Sequence, residues 1–285
     1  MQKVESGGQL LLPNEVPAYC LLSGRGDYMQ AEWDKITAHL PPSARVVVLT
    51  GAGVSEESGI PTFRDPQTGL WAQYDPMVLA TAEAFARDPK LVWDWYEWRR
   101  EARRNVQPNA GHRALAELAQ NIPQFVLVTQ NIDGLHRLAG SPEVIELHGN
   151  LQRNKCSREN VVIDRARARP TENGLLACPN CGALLRPDVV WFGEMLPREA
   201  LSCAIGEAER CDVFFSVGTS AVVEPAASLP RLAKQYGAFL VEINPRETPI
   251  SGIADATVQG KSGEVLPELM RQWRLRWLKQ SGPGE

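Results

Sequence analysis

The chain has 285 residues, 44% hydrophobic and 22% charged, the balance of an ordinary soluble globular protein and not of a disordered, collagen-like or membrane-spanning one. No apolar run approaches the roughly 20 residues that cross a bilayer, and 30 Lys plus Arg against 34 Asp plus Glu leave a net charge of -4, which excludes nucleic-acid binding by bulk electrostatics. Six Cys are too few for a disulfide scaffold, and Cys178-Pro-Asn-Cys181 reads as metal or redox chemistry in a reducing compartment.

Residues 1–28 contain only the brief apolar stretch Leu10-Leu11-Leu12, too short for the apolar core of a secretory leader. They read as an irregular extension without assigned function, and the cytoplasm is the expected location. Short apolar runs rich in Val, Ile and Phe follow at Arg45–Thr50, Phe125–Thr129, Val144–Leu147, Val189–Phe192, Val213–Val217 and Phe239–Ile243. Their continuous apolar character predicts strands buried on both faces, hence a parallel sheet covered by helices. Between them, 112–119 has helical periodicity with Ala114, Leu115 and Leu118 on one side. Alternating strand and helix predicts a doubly wound α/β fold.

Two insertions break that alternation. The first, about 66–108, contains Asp88-Pro89, an N-cap followed by a residue suited to the first helical position, so a helix is predicted to begin there. The second, about 151–186, holds the Cys pair and an Arg-rich stretch. It reads as a small unit needing help from a metal or from the main body. The expected organisation is a nucleotide-binding domain over 29–66, 108–150 and 187–280, a helical insertion over 67–107 and a ribbon-like insertion over 151–186.

The first strand runs into Gly51-Ala52-Gly53-Val54-Ser55. Glycines at the carboxyl end of a first strand let backbone N–H groups approach a pyrophosphate closely. The dehydrogenase spacing would need a glycine at Glu56, so by themselves these glycines fit a tight turn equally well. The tail Gly59-Ile-Pro-Thr62-Phe63-Arg64 is unusual for a connector.

Taken with Thr129-Gln130-Asn131-Ile132-Asp133, His148-Gly149, Val190-Trp191-Phe192-Gly193-Glu194, Gly218-Thr219-Ser220 and Ile243-Asn244, the sequence resembles the sirtuins, from about Tyr28 to Leu266 and with the blocks in the family's order. The resemblance implies a Rossmann-like doubly wound parallel sheet with a smaller zinc-ribbon-like domain and a helical insertion. It also implies NAD-dependent removal of acyl groups from lysine side chains of proteins or peptides, yielding nicotinamide and 2′-O-acyl-ADP-ribose. NAD is then a co-substrate. Neither nucleic acid nor membrane is an expected partner, and a monomer is favoured.

In that reading His148 is the general base, because imidazole titrates near working pH and a positioned base contributes roughly 10²–10⁴-fold. By resemblance Asp133 holds the nicotinamide carboxamide, Gln130 and Asn131 address the ribose and an ordered water, and Phe63 covers the nicotinamide pocket. Further NAD contacts implied are Gly51, Ala52, Gly53, Ser55, Thr62, Arg64, Trp71, Ile132, Gly218, Thr219, Ser220, Asn244, Pro245, Arg246 and Ser262. His39, His112 and His136 are expected to be structural or exposed. A peptide would add as a strand between the loops 190–194 and 222–225, with Val190 accepting its amide N–H and Phe192, Gly193 and Glu194 alongside.

One sirtuin subgroup, the desuccinylase and demalonylase (class III) type, takes acidic acyl chains, and its pattern is a small tunnel residue followed by Tyr-x-x-Arg on a helix. Ala80 and Tyr96-Glu-Trp-Arg99 match it. Residues at i and i+3 share a helix face, so Tyr96 and Arg99 can reach one target, where a guanidinium fork and a hydroxyl suit a carboxylate. For Arg99, Arg100, Arg103 and Arg104 together a solvated face is the plain alternative, and it weighs most on the neighbours of the Tyr96–Arg99 pair.

The family's structural zinc uses two Cys-x-x-Cys pairs. Here the second is Cys178 with Cys181, but the first reads Cys156-Ser-Arg-Glu159. Tetrahedral zinc accepts carboxylate oxygen, so three Cys plus Glu159 is one reading; a weak or lost metal is the other, and it is the one the missing thiolate favours. Cys20, Cys203 and Cys211 lack ligand spacing. Rival functions are a mono-ADP-ribosyltransferase on the same scaffold and a non-catalytic module that binds through the Cys-containing insert.

Overall fold

The structure is a computed structural model and describes residues 29–62 and 75–278. Phe63, Arg64, Trp71, Cys20 and the extension 1–28 lie outside the described residues.

Six parallel strands form the main sheet: β1 (Arg45–Thr50), β2 (Gln124–Thr129), β3 (Val144–Glu146) and, later in the chain, Val213–Val217, Phe239–Asn244 and Ala256–Gln259. Before β1, helix α1 covers 29–38. From β1 the chain moves outward through β2 to β3, then returns to the other side of β1 and moves outward again. A parallel sheet that reverses direction beside its first strand leaves a crevice at the carboxyl ends, where dinucleotides bind.

Strand β1 explains why the sheet is covered twice. Val46 and Val48 point into one apolar cluster with Trp33 and Ile36 of α1, while Val47 and Leu49 point into another with Val128, Phe214 and Leu240. Helix α2 (Gly53–Glu56) follows β1, and the first insertion supplies α3 (Pro76–Leu79), α4 (Ala82–Arg87) and α5 (Pro89–Arg103). The Asp88 side chain accepts from the Leu91 amide and Pro89 occupies the first turn, as the capping rule predicts. Helix α6 (Ala110–Asn121) buries Ala114, Leu115 and Leu118 as the periodicity requires, and α7 (Leu135–Leu138) follows β2.

The second insertion is antiparallel. Strand β4 (Gly149–Cys156) lies between β5 (Val162–Ile163) and β8 (Leu185–Val189), and β6 (Arg169–Pro170) pairs with β7 (Leu176–Ala177). The chain then continues through α8 (Arg198–Ala208), β9 (Val213–Val217), α9 (Leu229–Gln235), β10 (Phe239–Asn244), β11 (Ala256–Gln259) and α10 (Ser262–Trp277).

Two expectations need correction. The run Val189–Phe192 is not a strand of the parallel sheet: Val189 ends β8, and the next residues turn along the cavity described below. Their apolar character serves that cavity and the cluster of Tyr96, Ile132 and Leu151 around Trp191. The sixth strand is β11, whose edge position buries Ala256 and Val258 while Thr257 and Gln259 are more open. Nor is the arginine run of α5 a solvated face. Arg100 donates to the carbonyls of Leu151 (2.6 Å) and Arg153 (3.0 Å), and Arg103 donates to the carbonyl of Asp133 (2.6 Å). Arg104 alone behaves as expected, pairing with Glu101 at the surface. Among the described residues no helix is long and apolar enough to cross a membrane.

Candidate active site

The carboxyl ends of β1, β2, β9 and β10 open into one cavity of about 530 Å³. Its floor is two loops pressed together. The amide of Gly51 donates to the Val217 carbonyl (3.1 Å) and that of Gly53 to the Gly218 carbonyl (2.8 Å). A Cβ on Gly218 would stand 2.6 Å from the Val54 nitrogen, and the residue has φ +58, so both contact and conformation call for glycine. Thr219 ties further strand ends together: its hydroxyl accepts from Gln130 Nε2 (2.9 Å) and its carbonyl from Asn244 Nδ2 (2.7 Å).

The cavity brings together Gly51, Ala52, Gly53, Thr62, Gln130, Asn131, Ile132, Gly218, Thr219, Ser220, Asn244, Pro245 and Arg246 on the nucleotide side. Ala80, Tyr96, Arg99, Val190, Phe192, Gly193 and Glu194 meet them from the other side, with His148 also in the lining. Among the described residues, three expected at the site are not in that lining. Ser55 and Asp133 sit behind it: Ser55 Oγ donates to Asp133 Oδ2 (2.8 Å), and Asn131 Nδ2 donates to Ser55 Oγ (3.2 Å) and the Gly51 carbonyl (2.9 Å). Burial raises the Asp133 carboxyl, against the pull of the Leu135 amide and Ser55. Ser262, the first residue of α10, is buried against Gly111 and away from the cavity.

His148 is half-buried, and its Nδ1 lies 2.8 Å from the Gln130 carbonyl. A carbonyl only accepts, so Nδ1 carries the proton and Nε2 bears the lone pair of the neutral ring. The backbone is fixed as well. The His148 carbonyl accepts from Val190 N (3.0 Å), and a Cβ on the following Gly149 (φ +79) would lie 2.1 Å from the Asp188 carbonyl oxygen.

On α5, Tyr96 is 1% exposed and accepts a hydrogen bond from Trp191 Nε1 (3.0 Å). Burial pushes its hydroxyl up, with Arg99 opposing. Arg99 reaches back from the next turn, its guanidinium 4.9 Å from the Trp95 ring centre and 5.5 Å from that of Tyr96. Burial draws the Arg99 guanidinium down, countered by Tyr96 and Asp133. Ala80 is buried, and its carbonyl accepts from Phe192 N (2.9 Å), which joins the helical insertion to the loop after β8.

The sequence reading missed Glu56, Leu196 and 247–249, which also line the cavity, and named Trp191, Val223 and Glu224 only as parts of the loops offered to a peptide. Trp191 and Tyr96 are 95 positions apart, so no local spacing announces their contact. Also missed was a polar chain behind the sheet edge. His136 Nε2 meets Thr50 Oγ1 (2.9 Å), which donates to Thr129 Oγ1 (2.8 Å), while the His112 and His136 rings lie 4.8 Å apart. Both rings are buried. Burial drives His112 down to about 4 and His136 well down. His39 stacks on Phe239 at 3.9 Å.

The cysteine insert brings Cys156, Glu159, Cys178 and Cys181 to one point, their ligand atoms all within 4.8 Å of one another. Cys156 Sγ and Cys181 Sγ are 3.4 Å apart, and Cys178 Sγ is 3.7 Å from Glu159 Oε2. With zinc–sulfur bonds of about 2.3 Å, a tetrahedral centre spaces its ligands similarly, and a carboxylate oxygen is an acceptable fourth donor. The residues fit a zinc ion, with Glu159 standing where a fourth thiolate would be.

Residues 51–225 match the family model described as Sir2 family. The chain belongs to the Sir2 family. The NAD-dependent protein deacylase 1 of Archaeoglobus fulgidus is 51% identical over 241 residues, covering 85% of this chain and 98% of that protein. A solved Sir2 homolog–NAD complex is similar with a TM-score of 0.76 and 49% identity, over 85% of this chain and 94% of that one. A mutant Sir2 homologue in complex with 2′-O-acetyl ADP ribose is similar with a TM-score of 0.77 and 49% identity, over 88% of this chain and 99% of that one. Against that background the cavity at the strand ends corresponds in kind to a dinucleotide crevice.

Proposed function

We propose that the protein is an NAD-dependent protein-lysine deacylase that accepts acetyl and, preferentially, acidic acyl chains such as succinyl and malonyl. The observation that carries this reading is one cavity whose lining joins the glycine loops Gly51–Gly53 and Gly218, His148, and Tyr96 with Arg99. The same reading divides the chain into a nucleotide-binding unit (29–66, 108–150 and 187–280), an acyl-pocket insertion (67–107) and a ribbon (151–186).

In this mechanism the acyl-lysine carbonyl oxygen attacks C1′ of the nicotinamide ribose and nicotinamide leaves. The Nε2 lone pair of His148 takes a proton from a ribose hydroxyl, whose oxygen then closes onto the imidate carbon. Water completes release of lysine and 2′-O-acyl-ADP-ribose. The bond from His148 Nδ1 to the Gln130 carbonyl sets the tautomer that leaves Nε2 basic. Asn131 acts at the ribose, held by Gly51 and Ser55; Asp133, set behind the lining, acts on the nicotinamide end through Ser55 and the turn it caps. Val190, Phe192, Gly193 and Glu194 offer the edge against which a peptide pairs, and backbone pairing makes such binding tolerant of sequence. Zinc, when bound at the Cys–Glu cluster, supplies structural cross-linking of the ribbon.

Turnover with peptides carrying acetyl, malonyl, succinyl or glutaryl lysine tests the acyl preference. Higher kcat/KM for the acidic chains supports it, and acetyl as the best substrate contradicts it. A mono-ADP-ribosyltransferase would use the same nucleotide residues, but it has no use for the Tyr96–Arg99 pair in the cavity lining.

A further inference from the structure

The Tyr96 hydroxyl has one proton to donate and two lone pairs to accept with. One lone pair is taken by the indole N–H of Trp191 at 3.0 Å, a group that can only donate. The Arg99 guanidinium stands beside the same ring, 5.5 Å from its centre, and is likewise a donor without acceptor capacity. Neither group can accept the hydroxyl's own proton, which is left for an acceptor in the cavity that Tyr96 and Arg99 both line. Trp191 is itself tightly placed. Its backbone N–H donates to Glu194 Oε2 (2.9 Å), Glu194 is held by both terminal nitrogens of Arg186 (2.5 and 2.6 Å), and the Arg186 guanidinium lies 3.7 Å from the indole ring centre. Trp191 is 2% exposed, so its N–H has little freedom to aim elsewhere.

We propose that Trp191 is a specificity-determining positioning residue: its N–H occupies the Tyr96 oxygen with a group that cannot accept the phenolic proton, and so directs that hydroxyl to donate to the carboxylate of an acidic acyl chain. Arg186 and Glu194 act one step further back, by fixing the indole. This inference rests on the acidic-acyl reading of the Tyr96–Arg99 pair and deepens it. A neutral acetyl chain offers no acceptor at that depth, so the Trp191 N–H bears on the ratio of activities and on KM for the acidic substrate more than on its kcat.

The test compares the ratio of desuccinylation to deacetylation kcat/KM in wild type, Trp191→Phe and Tyr96→Phe, and in the double variant. A second form replaces residue 191 by the benzothiophene analogue of tryptophan, which keeps the ring and loses only the N–H, so the question survives if Trp191→Phe folds poorly. Removing the N–H is expected to lower the ratio roughly tenfold, the scale of one hydrogen bond to a charged site, mainly through a higher succinyl KM. The same change on top of Tyr96→Phe is expected to have little further effect. A ratio that stays at the wild-type value in the benzothiophene protein overturns the inference while leaving the acidic-acyl reading standing. A wild-type enzyme that does not desuccinylate overturns both.

Discussion

In the parallel sheet, β1 is flanked on each side by its own apolar cluster, with Ile36, Leu115 and Leu266 below and Phe214, Ala204 and Leu229 above. In the cysteine ribbon the buried apolar residues reduce to Cys156, Ile163, Leu175, Cys178 and Leu185, joined by Trp93 from α5. The sheet can hold its loops in register by hydrophobic burial alone, which scales with the apolar area removed from water. The ribbon has little such area, and two of its core side chains are thiols that converge with Cys181 and Glu159. The difference teaches where function and where stability have been placed. The candidate catalytic groups hang from the strand ends of the sheet, and on the proposed reading the ribbon relies on a bound ion.

The sharpest way to break this picture is at His148. Replacing it by Asn should lower turnover about a thousandfold, the scale of lost base catalysis, while calorimetry still detects NAD binding; undiminished turnover would remove the base from the account. Next in size, Arg99→Met should lower the ratio of desuccinylation to deacetylation about a hundredfold, since losing one partner of a buried charge contact costs roughly 2–5 kcal/mol. Equal loss of both activities in a kinetic assay would instead make Arg99 a structural residue. Gly218→Ala, with its Cβ 2.6 Å from Val54 N, should lose about 2 kcal/mol of stability in denaturant unfolding and weaken NAD binding, because the two floor loops must separate.

The ribbon should answer to a different treatment. Stripping metal with a strong chelator should loosen the ribbon backbone and let trypsin cut after Arg158, Arg165 and Arg167 while the sheet stays resistant. Identical digestion with and without chelator would show that the ribbon needs no ion. The smallest effect expected is acid sensitivity behind the sheet edge. His112 is held at about 4, against 6.5 for an ordinary imidazole, so between those values the unfolded chain binds the extra proton. Stability is then full above about 6.5 and falls as pH drops toward 4, losing about 1 kcal/mol between pH 7 and 5.5. His136 shifts in the same direction. His112→Asn should flatten that slope in pH-dependent melting, and an unchanged slope would place the acid sensitivity elsewhere.

The same contrast governs what could be read from the sequence. Strands β1, β2, β9 and β10 are continuous apolar runs and announced themselves as doubly covered. Edge strand β11 alternates and escaped notice, and Val189–Phe192 imitated a buried strand because a cavity wall also needs apolar residues. The glycine loop and Gln130–Asn131 were legible as motifs, and the structure brings them to one cavity. Ser262 was placed there too, yet it packs against Gly111. The convergence of Glu159 with three thiols was one of two readings the Cys-x-x-Glu spacing left open, whereas the inward turn of Arg100 and Arg103 and the Trp191–Tyr96 bond are products of chain crossings. No local spacing encodes them.

The central claim, that one cavity couples NAD cleavage to lysine deacylation, is tested most directly by counting products. Purified protein with NAD and a succinyl-lysine peptide should release one nicotinamide per free lysine, with one 2′-O-succinyl-ADP-ribose identified by mass. Nicotinamide released without deacylated peptide, or ADP-ribose found covalently on protein in its place, would contradict the account.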